Sequence, residues 1–259
     1  METTARSAVF GEYRLAYDVT GEGPSVVLVP GGMMHRGRWH ALGYVDRLAR
    51  RYRVVAMDPL GHGDSDRPRV PEAYDLVSCA EHVIAVLDDL GVERAAAWGY
   101  SRGGAIVAAL LAHRPARLWA VVTGGFGFDE TPTWADDVIE ALAVGDWDGF
   151  FERSGLVLPD HVRQYMTELN DPRAIAAAFL GARSGTLVAA ASPVPVLMYN
   201  GDGEDEAVLS WGQAQACGFD CRTLPTGGHA ETFAAADACC EVVEPFLDAT
   251  QPAAEKLPA

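Results

Sequence analysis

The stretch Gly99-Tyr100-Ser101-Arg102-Gly103 sets a serine between two glycines, each two positions away, directly before an apolar run. Glycine lacks the Cβ that crowds a tight turn, so this spacing permits a turn that lifts one hydroxyl clear of the backbone. Such a hydroxyl becomes a nucleophile once a base takes its proton. The base expected is His229, in Thr226-Gly227-Gly228-His229-Ala230, where the neighbouring glycines place the imidazole on a loop. By itself His229 reads as a surface histidine; Ser101 upstream changes that, because the chain order serine, acid, histidine is one known catalytic arrangement. His35, His40, His62, His82, His113 and His161 have no comparable setting. The acid belongs to Asn200-Gly201-Asp202-Gly203-Glu204-Asp205-Glu206, which holds four carboxylates in five positions. It would orient the imidazole and stabilise its cation. A tetrahedral intermediate also needs backbone N–H donors. Arg102 supplies one at the start of a helix. Gly32, in Pro30-Gly31-Gly32-Met33-Met34, supplies the other unless that pair is a plain turn.

These groups require a scaffold that brings distant loops to one edge. Ser25–Val29, Arg53–Met57, Leu118–Val122 and Val194–Tyr199 are continuous apolar runs, as expected of strands buried on both faces of a parallel sheet. Ala95–Trp98 forms a short strand leading into Ser101, Asp220–Leu224 a last strand before His229, and Tyr13–Tyr17 a first strand. Between the strands, Leu76, Ala80, Val83, Leu87 and Leu90 recur at helical spacing, and Gly91 stands where a C-terminal cap falls. Gly104–His113 is apolar nearly all round, which predicts a buried helix. From 131 to 190 the strand–helix alternation stops. Trp134, Trp147, Phe150, Phe151, Tyr165 and Phe179 lie among helix formers, which predicts a helical insert, its aromatic residues mostly packed against the main domain. The expected division is a core of 1–130 and 191–249, an insert of 131–190 and a frayed tail of 250–259.

The motifs taken together resemble the α/β-hydrolase superfamily, in particular its small cap-bearing esterases, lactonases and cofactor-free perhydrolases. The resemblance runs from Tyr13 to Leu247 and rests on five pieces in order. These are Val29-Pro30-Gly31-Gly32 through Trp39, Asp58-Pro59-Leu60-Gly61-His62-Gly63-Asp64-Ser65, Gly99–Gly104, Gly201-Asp202-Gly203-Glu204 and Gly228-His229. It implies a mostly parallel sheet of about eight strands flanked by helices, with a short helical cap after the sixth. It also implies Ser101 as nucleophile, His229 as base, and the N–H groups of Gly32 and Arg102 as oxyanion donors. Asp58–Ser65 would then be a structural loop. The family's acid register selects Glu204, and a count back from Val208 selects Asp205. Pro30 replaces a usual histidine and cannot donate a hydrogen bond. The Arg102 guanidinium either binds a substrate carboxylate or pairs with a neighbouring acid.

The function so implied is hydrolysis of a small carboxylic ester or lactone by a serine enzyme that needs no metal or organic cofactor. Peroxide as acyl acceptor, carbon–carbon bond hydrolysis and ligand sensing remain alternatives on the same residues. An aspartate would stand at position 101 in an epoxide hydrolase or haloalkane dehalogenase. The formal charge of −16 in 259 residues repels phosphate backbones and anionic membranes, so no nucleic-acid or membrane partner is expected. No run approaches the roughly 20 apolar residues of a membrane span. The first residues carry no signal-peptide block, so a cytoplasmic location is expected. The five cysteines lack metal-ligand or CxxC spacing and read as buried thiols.

Overall fold

The computed structural model describes residues 2–127, 134–156, 158–183, 191–204 and 211–252. Among these, eight strands form one sheet: β1 (Thr3–Phe10), β2 (Tyr13–Thr20), β3 (Ser25–Val29), β4 (Arg53–Met57), β5 (Ala95–Tyr100), β6 (Leu118–Gly124), β7 (Val196–Gly201) and β8 (Asp220–Leu224). Their spatial order is β1-β2-β4-β3-β5-β6-β7-β8. Strands β1 and β2 pair antiparallel, β2 pairs antiparallel with β4, and the remaining strands run parallel. β1 adds an edge strand to the expected set. Its residues are mostly exposed, so it lacks the apolar run that marks the interior strands.

The interior strands β3, β5, β6 and β7 are buried along their whole lengths. Burial on both faces explains their unbroken apolar runs. One face is covered by α3 (Leu76–Asp89) and α4 (Arg102–His113). The other is covered by α2 (Tyr44–Leu48) and α11 (Ala236–Thr250), with Trp39 from α1 (Gly37–Ala41) wedged between Tyr44, Trp98 and Phe233. α4 is buried from Arg102 to Leu111, as an all-round apolar helix must be. Asp75 caps α3 by accepting from the Val77 and Ser78 N–H groups, and Gly91 follows its end at φ +63°.

Among the described residues, four helices lie between β6 and β7: α5 (Asp136–Val144), α6 (Trp147–Ser154), α7 (Asp160–Leu169) and α8 (Pro172–Ala182). Their apolar faces pack mainly on one another. Val138, Leu142, Phe150, Phe151, Ile175 and Phe179 share a cluster to which the rest of the chain contributes Met33. The expected packing of these aromatics against the main domain is therefore corrected: the insert has its own core. α9 (Trp211–Ala216) and α10 (His229–Ala234) complete the described helices. α11 is helical through Thr250, where the sequence predicts a frayed tail; residues 253–259 lie outside the described set.

The end of β5 and the start of α4 are in direct contact. A Cβ on Gly99 would overlap the carbonyl of Gly103, and one on Gly103 would overlap the Val29 carbonyl and lie 2.7 Å from that of Pro30. Gly103→Ala is therefore expected to cost about 1–3 kcal/mol through overpacking and to lower Tm by several degrees. Gly212→Ala is the control: among the described residues no atom beyond its own helix backbone and chain neighbours lies within 4 Å of its Cβ position. Thermal unfolding of the two variants checks this, and equal Tm values would remove the proposed packing role.

Candidate active site

The loops after β3, β5, β6, β7 and β8 meet at the C-terminal edge of the sheet, where α/β proteins gather their functional groups. Ser101 follows β5 with φ 53° and ψ −122°, a positive φ that non-glycine residues seldom adopt. Strain of this kind costs roughly 1–3 kcal/mol and persists only where the surroundings enforce it. Here the enforcing contacts are the Gly99–Gly103 approach and a hydrogen bond from the Ser101 N–H to the Gly124 carbonyl at 2.8 Å. The turn leads into α4, whose first N–H groups have no partners within the helix and carry partial positive charge.

The loop after β3 comes alongside. A Cβ on Gly31 would stand 3.2 Å from Ser101 Cβ, and one on Gly32 would stand 3.3 Å from Phe179 Cε1 and 3.8 Å from Arg102 Cδ. Gly31 and Gly32 thus border the serine turn below and α8 above. Met33 follows at φ 60°, its carbonyl held by Asn170 Nδ2 at 3.1 Å. That bond ties the insert to the same loop.

His229 stands at the start of α10. Its Nδ1 lies 2.7 Å from Glu204 Oε2. A carboxylate can only accept, so Nδ1 carries a proton, and in the neutral imidazole the lone pair is on Nε2. Glu204 Oε1 accepts the Gly201 N–H at 2.9 Å, and its side chain is only 9% exposed. Asp202 serves the backbone instead. It accepts the Gly227 N–H at 2.8 Å, while Gly203 N–H donates to the Gly227 carbonyl at 3.0 Å. The two loops after β7 and β8 are therefore zipped together with Glu204 facing the imidazole. Asp205 lies outside the described residues.

Tyr100, which no sequence pattern marks as functional, joins the serine to the histidine. Its hydroxyl donates to the His229 carbonyl at 2.6 Å, and its ring lies 5.1 Å from the imidazole, centroid to centroid. Both groups rest on Gly125, whose Cβ would meet His229 Cε1 at 2.7 Å and Tyr100 Cζ at 2.8 Å. The preceding residue, Gly124, is the one that holds the Ser101 N–H. The only sign of this role in the sequence is a tyrosine beside a serine, a pairing too common to single out.

Asp58–Ser65 is a structural loop. The Asp58 carboxylate binds the Arg36 guanidinium and accepts from the Arg36 and Asp64 N–H groups, while Ser65 Oγ donates to the Asp58 carbonyl. His62 Nδ1 donates to the Leu60 carbonyl at 3.0 Å. Of the two readings of Arg102, pairing with a neighbouring acid is not met among the described residues: its Nη2 reaches the Ala178 carbonyl at 3.3 Å and Cys79 Sγ at 3.8 Å, and no carboxylate. Cys79, Cys239 and Cys240 are buried free thiols and Cys217 and Cys221 are half-buried ones. Among the described residues no cluster of His, Cys, Asp and Glu is arranged to hold a metal, and no helix is long and apolar enough to cross a membrane.

A mostly parallel eight-stranded sheet with a serine turn after β5 and a carboxylate–histidine pair on the last two loops defines an α/β-hydrolase architecture. The model of the alpha/beta hydrolase fold family matches residues 24–209, and the chain belongs to that family. A pimeloyl-[acyl-carrier protein] methyl ester esterase from Aeromonas hydrophila is 34% identical over 141 residues, 51% of this chain and 53% of that protein. The protein Rv2715 of Mycobacterium tuberculosis is 34% identical over 150 residues, 57% of this chain and 42% of that protein. The matches thus span about half the length of these curated relatives. An enol-lactonase from Burkholderia xenovorans LB400 has the same fold, with a TM-score of 0.78 at 21% identity over 94% of this chain and 100% of that one. A hydrolase from Pseudomonas aeruginosa PA01 gives 0.77 at 24% identity, over 94% and 98%.

Burial near the site sets an acid limit on stability. Desolvation, aided by the Arg102 charge, pushes His62 down to about 3 and His82 to about 4, whereas unfolded imidazoles titrate near 6.5. Below that value the unfolded chain binds protons that the native one refuses, so stability rises with pH in this window. His40, raised by its hydrogen bond to Asp18, acts in the opposite sense: its contribution is full below 6.5 and is lost above. Going from pH 7 to 5, the expected loss is about 1–2 kcal/mol for each of the two buried histidines. Urea midpoints across that range measure it, and a flat profile counts against neutral buried His62 and His82.

Proposed function

We propose that the chain is a serine hydrolase that cleaves a carboxylic ester or lactone through an acyl-enzyme. The observation that carries this reading is the Glu204–His229 pair, which holds the imidazole by its Nδ1–H and is tied through the Tyr100 hydroxyl to the strand that ends in the strained Ser101 turn. His229 Nε2 takes the proton of Ser101 as Oγ attacks the carbonyl carbon, and the Gly32 and Arg102 N–H groups receive the oxyanion. The carbonyl re-forms as the C–O bond to the alcohol breaks, and His229 gives its proton to that leaving oxygen. Water then attacks the acyl-enzyme with His229 again as base, releasing the acid and restoring Ser101. Glu204 stays ionised throughout and stabilises the imidazolium. These steps call on no metal or organic cofactor.

The inserted helices α5–α8 act as a cap. Phe179, against the Gly32 position, forms the apolar roof over the reacting carbonyl. An ester as the substrate accords with the methyl ester esterase relative, and a lactone with the structural neighbour named as an enol-lactonase.

The test is hydrolysis of p-nitrophenyl acetate, butyrate and octanoate followed over many turnovers. Ser101→Ala is expected to lose at least about a thousandfold in kcat. Equal rates for parent and variant would reduce the turn to a structural one. A parent that binds these esters without multiple turnover would favour a ligand sensor. Glu204→Gln is expected to lower kcat roughly 100- to 10,000-fold by releasing the imidazole from its working tautomer. Asp202→Asn changes it far less, because the amide oxygen still accepts from Gly227 N–H. A larger effect of Asp202→Asn than of Glu204→Gln would move the acid's role to Asp202.

A further inference from the structure

The side chain that follows Ser101 carries a charge that no described residue nearby balances. Arg102 is 2% exposed. Its Nη2 has a carbonyl at 3.3 Å and a sulfur at 3.8 Å, and its Nε has no partner among the described residues. Arg36 shows how this chain otherwise treats a guanidinium withdrawn from water: it is ringed by the carboxylates of Asp18, Asp58 and Asp64. Among the described residues, the groups in contact with Arg102 supply no negative charge. His62 and His82 are neutral at working pH, and burial pushes the Cys79 thiol up so that it stays protonated. Arginine does not shed its proton to escape burial, and an unpaired buried charge is strongly unfavourable.

The position of the side chain says where a counter-charge would come from. Arg102 Cδ and the Phe179 ring both border the Cβ position of Gly32, the proposed oxyanion loop, and the guanidinium reaches the Ala178 carbonyl of α8. The side chain therefore borders the proposed oxyanion loop, next to where the reacting carbonyl would sit. The bond to Ala178 is long for N–H···O, and a carboxylate offers shorter, charge-assisted and bidentate bonds in its place.

We propose that the Arg102 guanidinium is a specificity group that binds a carboxylate carried by the substrate, so that the preferred esters or lactones are anionic. This deepens the hydrolase reading and rests on it. The formal charge of −16 gives no general attraction for such substrates, so the preference would come from this one buried cation.

The experiment compares kcat/KM for monomethyl glutarate and its neutral near-isostere methyl 5-methylhexanoate, by methanol release, in the parent, Arg102→Met and Arg102→Lys. A third ester, carboxymethyl butyrate, puts the carboxylate on the alcohol side. The parent is expected to prefer one of the charged esters, and Arg102→Met to cut the charged-to-neutral ratio roughly 10- to 100-fold, mainly through KM, with partial recovery in Arg102→Lys. Which charged ester shows the effect tells the acyl from the alcohol side. A parent that prefers the neutral ester, or a ratio unchanged in Arg102→Met, overturns the proposal. Binding is read separately by calorimetry of monomethyl glutarate and carboxymethyl butyrate with Ser101→Ala, with and without Arg102→Gln. Weaker binding on adding Arg102→Gln supports the carboxylate site even if turnover fails, whereas absence of binding to Ser101→Ala by both esters counts against it. Failure of p-nitrophenyl ester hydrolysis, by contrast, counts against the hydrolase reading alone.

Discussion

The contact between the last residues of β5 and the first turn of α4 governs most of what surrounds it. Strand and helix meet so closely that neither Gly99 nor Gly103 has room for a side chain, and the chain must reverse through Ser101 at φ 53°. That conformation is costly for serine. It is held because β5 is buried along its whole length between β3 and β6, and because α4 is buried down to Leu111. A strand and helix less thoroughly buried would relax the turn and lower the hydroxyl into the backbone. The core is thus the source of the force that presents Ser101.

The second half of the site depends on a different device. The loops after β7 and β8 approach through backbone pairs: Asp202 N–H to the Leu224 carbonyl, Gly203 N–H to the Gly227 carbonyl, and Gly227 N–H to the Asp202 carboxylate. A Cβ on Gly201 would overlap the Gly227 carbonyl, so the approach needs a bare backbone there. Zipped in this way, the loops bring Glu204 and His229 into contact without help from the insert. Tyr100 then fixes that unit to the serine strand through the His229 carbonyl. A rigid donor on a rigid strand is a sound way to keep a loop histidine in register.

Two cations treated differently show how charge is distributed. Arg36 is surrounded by three carboxylates and locks the β4 loop to the segment after β3, a structural role in which each guanidinium nitrogen meets an acid. Arg102, deeper in the protein, meets a helix carbonyl and a thiol but no carboxylate among the described residues. Composition treats both as one arginine each. What separates them is the geometry of the neighbouring backbone, which brings acids to one and apolar helix to the other.

The amino-acid sequence by itself determined the serine turn, the histidine loop, the parallel strands and the buried α4, because each depends on residues close together in the chain: paired glycines, continuous apolar runs, and three- and four-residue spacing. It missed β1, whose exposed side chains carry no apolar pattern, and it left the partner of Arg102 open between a substrate carboxylate and a neighbouring acid. It also left the acid open between neighbouring carboxylates, since a run of Asp and Glu looks alike in every register. Tertiary structure brought Glu204 to the imidazole and gave Asp202 to the loop zipper, placed Tyr100 against His229, and made the inserted aromatics pack on one another. Each of these outcomes is set by contacts between segments tens to more than a hundred residues apart. Side-chain direction there follows from how strands and helices pack, which local composition does not encode.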